Sequence, residues 1–227
     1  ESSMRSDTVR IVIADEVDGM GVTKGGDVRS LLRKRTNTFK HSSKICMSST
    51  PLNNGIIYTY LKESTYNKYY VPCPCCGKMI TLSRDTLKWK LTEDTDTVYD
   101  AWMECPECKG VIRNEDKITI LPKGEWRASN PKADPSMQGY YLPSYYAPVG
   151  WLSWKDCAKE LVEAQNSSEE KRDERLATYA NTIDAVPYTK GAVDSNEWRD
   201  TYEKALKSEY VRGRIPKWVN FITTGSD

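Results

Sequence analysis

Four cysteines stand in two knuckles, Cys73-Pro-Cys-Cys76-Gly and Cys105-Pro-Glu-Cys108-Lys-Gly, and their spacing is that of a metal site. Each knuckle sets two thiols a tight turn apart. A glycine just after each second cysteine can take the positive φ that lets backbone N–H groups reach the sulfurs. Four thiolates complete a tetrahedral Zn2+ and leave no open position, so Cys73, Cys76, Cys105 and Cys108 read as a structural zinc site. Two disulfides, or thiols that are neighbours by accident, are the competing reading, and paired C-x-x-C spacing speaks against both. Cys75 lies inside the first knuckle and competes with Cys76 as a ligand; the spacing and Gly77 favour Cys76. The stretch between the knuckles is compatible with a zinc ribbon, a device that serves nucleic acid, protein partners or plain stability.

A second chemical group is Asp15-Glu16-Val17-Asp18, at the end of the β-branched run Val9–Ala14. Such a run reads as a strand of a parallel sheet buried on both faces, and carboxylates at its C-terminal end sit where α/β folds bind ligands. In a nucleotide hydrolase the first acid holds Mg2+ and the second polarises the attacking water, which assigns Asp15 to the metal and Glu16 to the base. A solvated acidic turn is the plain alternative. A second apolar run, Lys44–Ser48, ends in Ser48-Ser49-Thr50-Pro51, small hydroxyl residues able to bond the acidic pair and sense a γ-phosphate. Arg29, Arg33 and Arg35 lie on or just after the intervening helix. A solvated basic face suits Arg29 and Arg33, and Arg35 stands as the candidate for an ATP or DNA contact. The single histidine, His41, sits in a polar turn without metal-ligand spacing.

Positioning these groups falls to a strand–helix–strand unit, with Asp27 as N-cap of a helix whose Val28, Leu31 and Leu32 share a face. A helical stripe follows over 55–65 (Ile56, Ile57, Tyr60, Leu61). Tyr69–Pro72, Ile80–Leu82, Leu87–Trp89, Val98–Met103, Val111–Ile112 and Ile118–Ile120 read as short strands around the knuckles. These bury little apolar area, so the metal must supply much of the folding energy. Lys78, Lys109 and Arg113 are near enough in sequence to offset a tetrathiolate's charge or to touch phosphates. Tyr140–Tyr146, with Trp151 and Trp154, lacks interleaved bases and reads as an aromatic crossing loop packed on the core. Ser153-Trp-Lys-Asp156 is a capping box that opens a helix burying Cys157, Ala158, Leu161 and Val162. Ser168 caps a second helix that ends at Asn181, and Asn196 a third that bears Trp198, Tyr202 and Leu206. The alternating run Trp218–Thr223 reads as a final strand.

Composition narrows the rest. The chain has 227 residues, with 33 basic and 32 acidic side chains for a net charge of +1, so no global field marks a nucleic-acid partner. No apolar run can span a membrane and no secretory signal is present. Seven cysteines, four in metal spacing, fit a reducing compartment. The chain starts at Glu1 without an initiator Met and stops just after an expected strand, as an excised piece of a longer protein would.

Several pieces together resemble one family. Ile-Val-Ile-Ala-Asp15-Glu16, Arg33-Lys34-Arg35-Thr36, Lys44-Ile45 leading to Ser49-Thr50-Pro51, Cys73-Pro-x-Cys76-Gly, and Tyr179-Ala180-Asn181-Thr182 with Pro187-Tyr188 are similar, in order and spacing, to the large terminase subunit of tailed phages, lambda-like group. In that family an ATPase motor threads double-stranded DNA into a procapsid and a nuclease of RNase H type cuts it. The resemblance implies that Asp15 and Glu16 are a Walker B pair, that Ser48 to Thr50 are the coupling motif, with Ser49 and Thr50 touching the nucleotide, and that Arg35 is a family-typical arginine. It makes Asp227 the first carboxylate of a two-metal nuclease site. It further implies ATP and Mg2+ in the intact protein, an oligomeric motor meeting a small terminase subunit and a portal, and work in the host cell cytoplasm. The fold class expected is α/β: a partial P-loop-type ATPase sheet with a zinc-ribbon β insertion and a helical linker region. Residues 1–65 would be the C-terminal part of the ATPase core, 66–150 the ribbon and crossing loop, 151–183 helices on the ATPase core, 184–217 a linker, and 218–227 the first nuclease strand. One departure matters: no G-x-x-x-x-G-K-[ST] phosphate loop occurs in this sequence, so the chain alone is expected to lack ATPase activity. With the remaining nuclease acids missing, nuclease activity alone is also not expected. The alternatives are a non-catalytic zinc-ribbon module for DNA or a protein partner, and a superfamily 2 helicase fragment, whose D-E-x-D box Asp15–Asp18 also fits.

Overall fold

The β-branched run settles into a short strand, β1 (Ile11–Ala14), and pairs in parallel with β2 (Ser43–Cys46), placing Ile13 opposite Ile45. Between them in sequence lies α1 (Val28–Thr36), so the strand–helix–strand unit read from the sequence is present. The computed structural model describes residues 8–20, 28–49, 55–93 and 96–188. The chain divides after Tyr188, and every described residue belongs to the first unit. The expected third helix, the strand at 218–223, Thr50 and Asp227 lie outside the described residues.

One face of this small sheet is covered. Ala14, Val17 and Val28 are buried together, with Leu32, Cys46, Ile56 and Ile57 packed against them. The opposite face corrects the expectation of a strand buried on both sides: Ile11, Ile13, Ile45 and Met47 are 43–60% exposed. Alternate strand residues face opposite ways, and the helices described here cover only one of the two faces.

The second cover is α2 (Ile56–Glu63), followed by β3 (Asn67–Pro72), β4 (Met79–Ile80), β5 (Leu87–Leu91), β6 (Val98–Glu104) and β7 (Val111–Ile112). Next come α3 (Lys117–Ile120), β8 (Glu125–Ala128), β9 (Tyr140–Tyr141), α4 (Trp154–Gln165) and α5 (Glu169–Thr182). β3 pairs antiparallel with β4 and β8 and parallel with β9, while β5, β6 and β7 form a separate antiparallel sheet. The fold is thus mixed α/β, built from small sheets.

Residues 117–120 are helical, against the strand expectation. Asp116 accepts the Arg113 N–H at 2.7 Å and winds residues 114–116 into a 3-10 turn that runs on into α3. Lys117 and Ile120, three apart on one helical face, are both buried, so packing overrides the β-branched preference. The aromatic stretch divides. Tyr145, Tyr146 and Trp154 are buried as expected, whereas Tyr140 joins a strand and stays exposed, and Trp151 is 83% exposed.

The Ser153 capping box forms: Asp156 N–H reaches Ser153 Oγ at 3.1 Å and Ser153 N–H reaches Asp156 Oδ2 at 3.2 Å. It opens α4, which buries Cys157, Ala158, Leu161 and Val162. This helix makes its main contacts with β6, α5 and β5. Its apolar stripe covers the inner face of the three-stranded sheet, where Leu87, Val98, Ala101, Met103 and Ile112 are buried. Ser168 stands at the N-cap of α5 without a side-chain bond, and the helix runs one residue past Asn181.

Candidate metal centre and acidic turn

The two knuckles are the turns between β3 and β4 and between β6 and β7, from different sheets, and their four thiols meet. All four Sγ atoms of Cys73, Cys76, Cys105 and Cys108 lie within 4.8 Å of one another. Cys73 and Cys108 are 3.9 Å apart, and so are Cys76 and Cys105. Sulfurs at the corners of a tetrahedron with bonds of about 2.3 Å stand about 3.8 Å apart, so the spacing fits Zn2+.

The knuckles repeat each other bond for bond. Cys73 N–H donates to Lys78 O at 2.9 Å and Gly77 N–H returns to Cys73 O at 2.8 Å. In the second, Cys105 N–H donates to Gly110 O at 3.0 Å and Lys109 N–H returns to Cys105 O at 2.9 Å. The residue after the second cysteine takes a positive φ in both, +73° at Gly77 and +58° at Lys109. Glycine supplies that conformation only in the first knuckle. Gly110 has another reason: a Cβ there would sit 2.7 Å from Cys75 Sγ and 3.1 Å from Cys108 Sγ. Cys75 itself stands outside the cluster, its thiol directed at Val111 O at 3.7 Å.

Each knuckle turns one thiol inward, Cys73 and Cys105, and one outward, Cys76 and Cys108. Burial pushes the Cys73 thiol up to about 12. Burial acts on Cys105 in the same direction, but N–H groups of Cys108 and Glu107 and the thiols of Cys73 and Cys108 outweigh it and bring Cys105 down to about 7. In this cluster Cys73, hard to ionise in this setting, gains most from a cation that binds thiolates. The bases around it are already committed. Lys78 pairs with Glu107 at 2.7 Å, Lys109 with Glu104 at 3.8 Å, and Arg113 with Asp100 at 3.0 Å. Their carboxylates make this surface a poor phosphate cradle.

The acidic turn lies at the C-terminal ends of β1 and β2. Asp15 and Glu16 are exposed, and Glu16 adopts a left-handed φ of +50°. Asp15 Oδ1 accepts the Glu16 N–H at 3.0 Å. Ser48 Oγ approaches Glu16 Oε2 at 3.5 Å, and Val17 N–H donates to Met47 O at 3.2 Å. The two strand ends therefore bring Asp15, Glu16 and Ser48 together, with Ser49 exposed beside them. Arg35 is placed elsewhere. Its carbonyl accepts the Val9 N–H at 3.1 Å, just before β1, on the order of 20 Å of strand from Asp15 at about 3.3 Å per residue. Arg29 is not a free basic face: it pairs with Glu63 at 2.9 Å and lies over the Tyr60 ring, joining α1 to α2.

Two buried groups have no local signature in sequence. Asp184, 7% exposed, forms an ion pair with Arg84 and accepts the Tyr145 hydroxyl at 2.6 Å, and Tyr179 adds its own hydroxyl at 3.0 Å from that of Tyr145. Burial raises the Asp184 carboxyl, and Arg84 opposes that shift. Lys117, 1% exposed, donates to Leu152 O at 3.1 Å and sits over the Trp154 ring, and burial lowers it to about 8.

Comparison with known families adds two matches. The family model for the phage terminase large subunit gpA, ATPase domain, matches residues 1–126. The model for the terminase large subunit gpA, endonuclease domain, matches residues 137–227. No curated protein and no solved structure matches the chain.

Proposed function

Because the chain belongs to the phage terminase large subunit gpA family, with matches to its ATPase and endonuclease domains, we propose that it is the part of a DNA-packaging motor that runs from the Walker B strand to the first nuclease strand. Within the P-loop-type ATPase core, of which residues 1–65 are the C-terminal part, Asp15 would hold Mg2+ of an ATP complex and Glu16 would polarise the attacking water. Ser49 and Thr50 form the coupling motif that follows β2, and Arg35 is left as a DNA contact. Zn2+ on Cys73, Cys76, Cys105 and Cys108 supplies folding energy to the ribbon and takes no part in chemistry. Residues 184–217 lie within the stretch that the endonuclease model matches and would lead to its first carboxylate, Asp227. The intact protein works as an oligomer on double-stranded DNA in the host cytoplasm, with the small terminase subunit and the portal as partners.

The observation that carries this reading is the convergence of Asp15, Glu16 and Ser48 at two parallel strand ends in a chain of this family. In the full-length parent, Glu16→Gln abolishes Mg2+-dependent ATP hydrolysis, measured by phosphate release, while the 227-residue chain alone shows none. Turnover by the isolated chain, or a parent indifferent to Glu16→Gln, refutes the assignment.

A further inference from the structure

Asp18 is outside the acidic pair, yet the turn is fastened through it. Val17 is fully buried beneath the turn, and Asp18 next to it is half-buried. Asp18 Oδ1 accepts the Ile57 N–H at 2.9 Å, and its Oδ2 is buried without a hydrogen-bond partner among the described residues. Ile57 lies in the first turn of α2, where N–H groups have no intrahelical acceptor, and the N-cap position is Gly55, which offers no side chain. Asp18 thus caps α2 across 39 positions.

The turn needs such a tie. A left-handed conformation at a non-glycine residue such as Glu16 is strained and persists only where the surroundings over-determine it. Two backbone bonds contribute, Val17 N–H to Met47 O at 3.2 Å and Gly19 N–H to Glu16 O at 2.9 Å. The Asp18 carboxylate is the side chain that joins the turn to α2.

We propose that Asp18 is a positioning residue for nucleotide hydrolysis. By binding the first turn of α2 it holds Glu16 in the left-handed conformation that brings its carboxylate to Ser48 Oγ at 3.5 Å. The inference rests on the reading of Glu16 as the water-polarising base. A reacting group misplaced by about an ångström costs on the order of 100-fold in rate, whereas ATP binding does not involve this bond.

In the full-length parent, Asp18→Ala lowers kcat for ATP hydrolysis about 10- to 100-fold and leaves KM for ATP within about twofold. Asp18→Asn keeps the Oδ1 acceptor and restores most of the rate. Unchanged kcat, a KM that rises as kcat falls, or an Asn variant as impaired as the Ala variant overturns the proposal. A measurement on the wild-type chain needs no variant. The Ile57 amide should exchange with solvent at least about tenfold more slowly than an open helix-start amide, and exchange at the open rate overturns the proposal equally. A parent that hydrolyses no ATP would refute the functional reading instead. The Ile57 amide then decides whether Asp18 caps α2.

Discussion

Replacing Asp184 by Ala should cost this chain several kcal/mol of stability, more than breaking an exposed ion pair. The pairs Arg29–Glu63, Lys78–Glu107, Lys109–Glu104, Arg113–Asp100 and Arg127–Glu125 join side chains that are each at least about one-third exposed, and such pairs contribute about 0–1 kcal/mol each. The Arg84–Asp184 pair differs, with side-chain exposures of 26% and 9%. Removing one partner of a buried pair costs about 3–5 kcal/mol because the other charge is stranded, and the partial exposure of Arg84 puts Asp184→Ala near the lower end. The lost Tyr145 hydroxyl bond adds about 1 kcal/mol. Arg84→Met should cost less, about 2 kcal/mol, because Asp184 keeps Tyr145 and can take up a proton. The pH dependence follows from the raised carboxyl. An acid that titrates higher when folded binds more protons in the folded state, so its contribution is complete below about pH 4 and is lost as pH rises through the folded value. Arg84 opposes that rise, so the deficit of Arg84→Met against wild type must grow with pH above about 4. The assay is guanidinium unfolding of the chain in the presence of Zn2+, followed by tryptophan fluorescence, to which Trp154, whose Nε1 bonds Tyr145 O at 2.9 Å, contributes. A double-mutant cycle with Arg84→Met/Asp184→Leu should give a coupling of at least about 1.5 kcal/mol. Coupling near zero, or a cost below about 1 kcal/mol for Asp184→Ala, refutes the argument.

Two further changes test the ribbon and its cover. Gly110→Ala drives a Cβ to 2.7 Å from Cys75 Sγ and 2.9 Å from its Cβ, so zinc retention against a chelator, read by metal analysis, should fall. Adding Cys75→Gly should restore it; a loss that persists would place the obstruction at Cys108 Sγ, 3.1 Å from the same Cβ, and refute the role given to Cys75. Lys117 is lowered by burial to about 8, so the unfolded chain binds more protons between about pH 8 and 10.4 and this group makes stability rise with pH there. Lys117→Met should therefore flatten or reverse the stability-versus-pH slope relative to wild type in that window, in denaturant midpoints taken at several pH values. An identical slope would mean that Lys117 is not held in a desolvated site.

What could be read from the sequence was local. The knuckles, the Ser153 capping box and the strand–helix–strand unit each declare themselves within a few residues, through ligand spacing, a cap or an apolar period. The misreadings share a cause. Ile118–Ile120 has β-branched residues but is wound by Asp116, and the pairing of β3 with β8 and β9 depends on partners some 60 to 70 positions later. Such short strands carry no pattern of their own until the partner is known. The same holds for Asp184, whose partner Arg84 is 100 positions away. Nothing in Asn181-Thr-Ile-Asp184 marks the aspartate as buried. Gly110 was legible as a glycine with a purpose, but the purpose is the approach of Cys75 and not a positive φ.

A metal held by the four cysteines would act at a distance from the knuckles. Arg84 lies between the two knuckles in sequence, in the 3-10 turn that connects β4 to β5, so the same segment must satisfy the cluster and reach Asp184. Leu82 N–H, two residues earlier, donates to the Tyr146 hydroxyl at 2.8 Å, and that hydroxyl donates to Tyr69 O in β3 at 2.6 Å. At the other side, Ser144 N–H and Oγ bond Ile183 O and Thr182 O at 2.8 and 2.7 Å. The end of α5 is therefore held by the aromatic loop and by the inter-knuckle segment together. Such short strands bury little apolar area, so a metal held by the four cysteines would also support the scaffold from which Arg84 reaches Asp184, and its loss would remove that support. The three knuckle bases already paired with carboxylates leave little positive charge for DNA. Anchoring the end of α5 is the role that the contacts of this ribbon support.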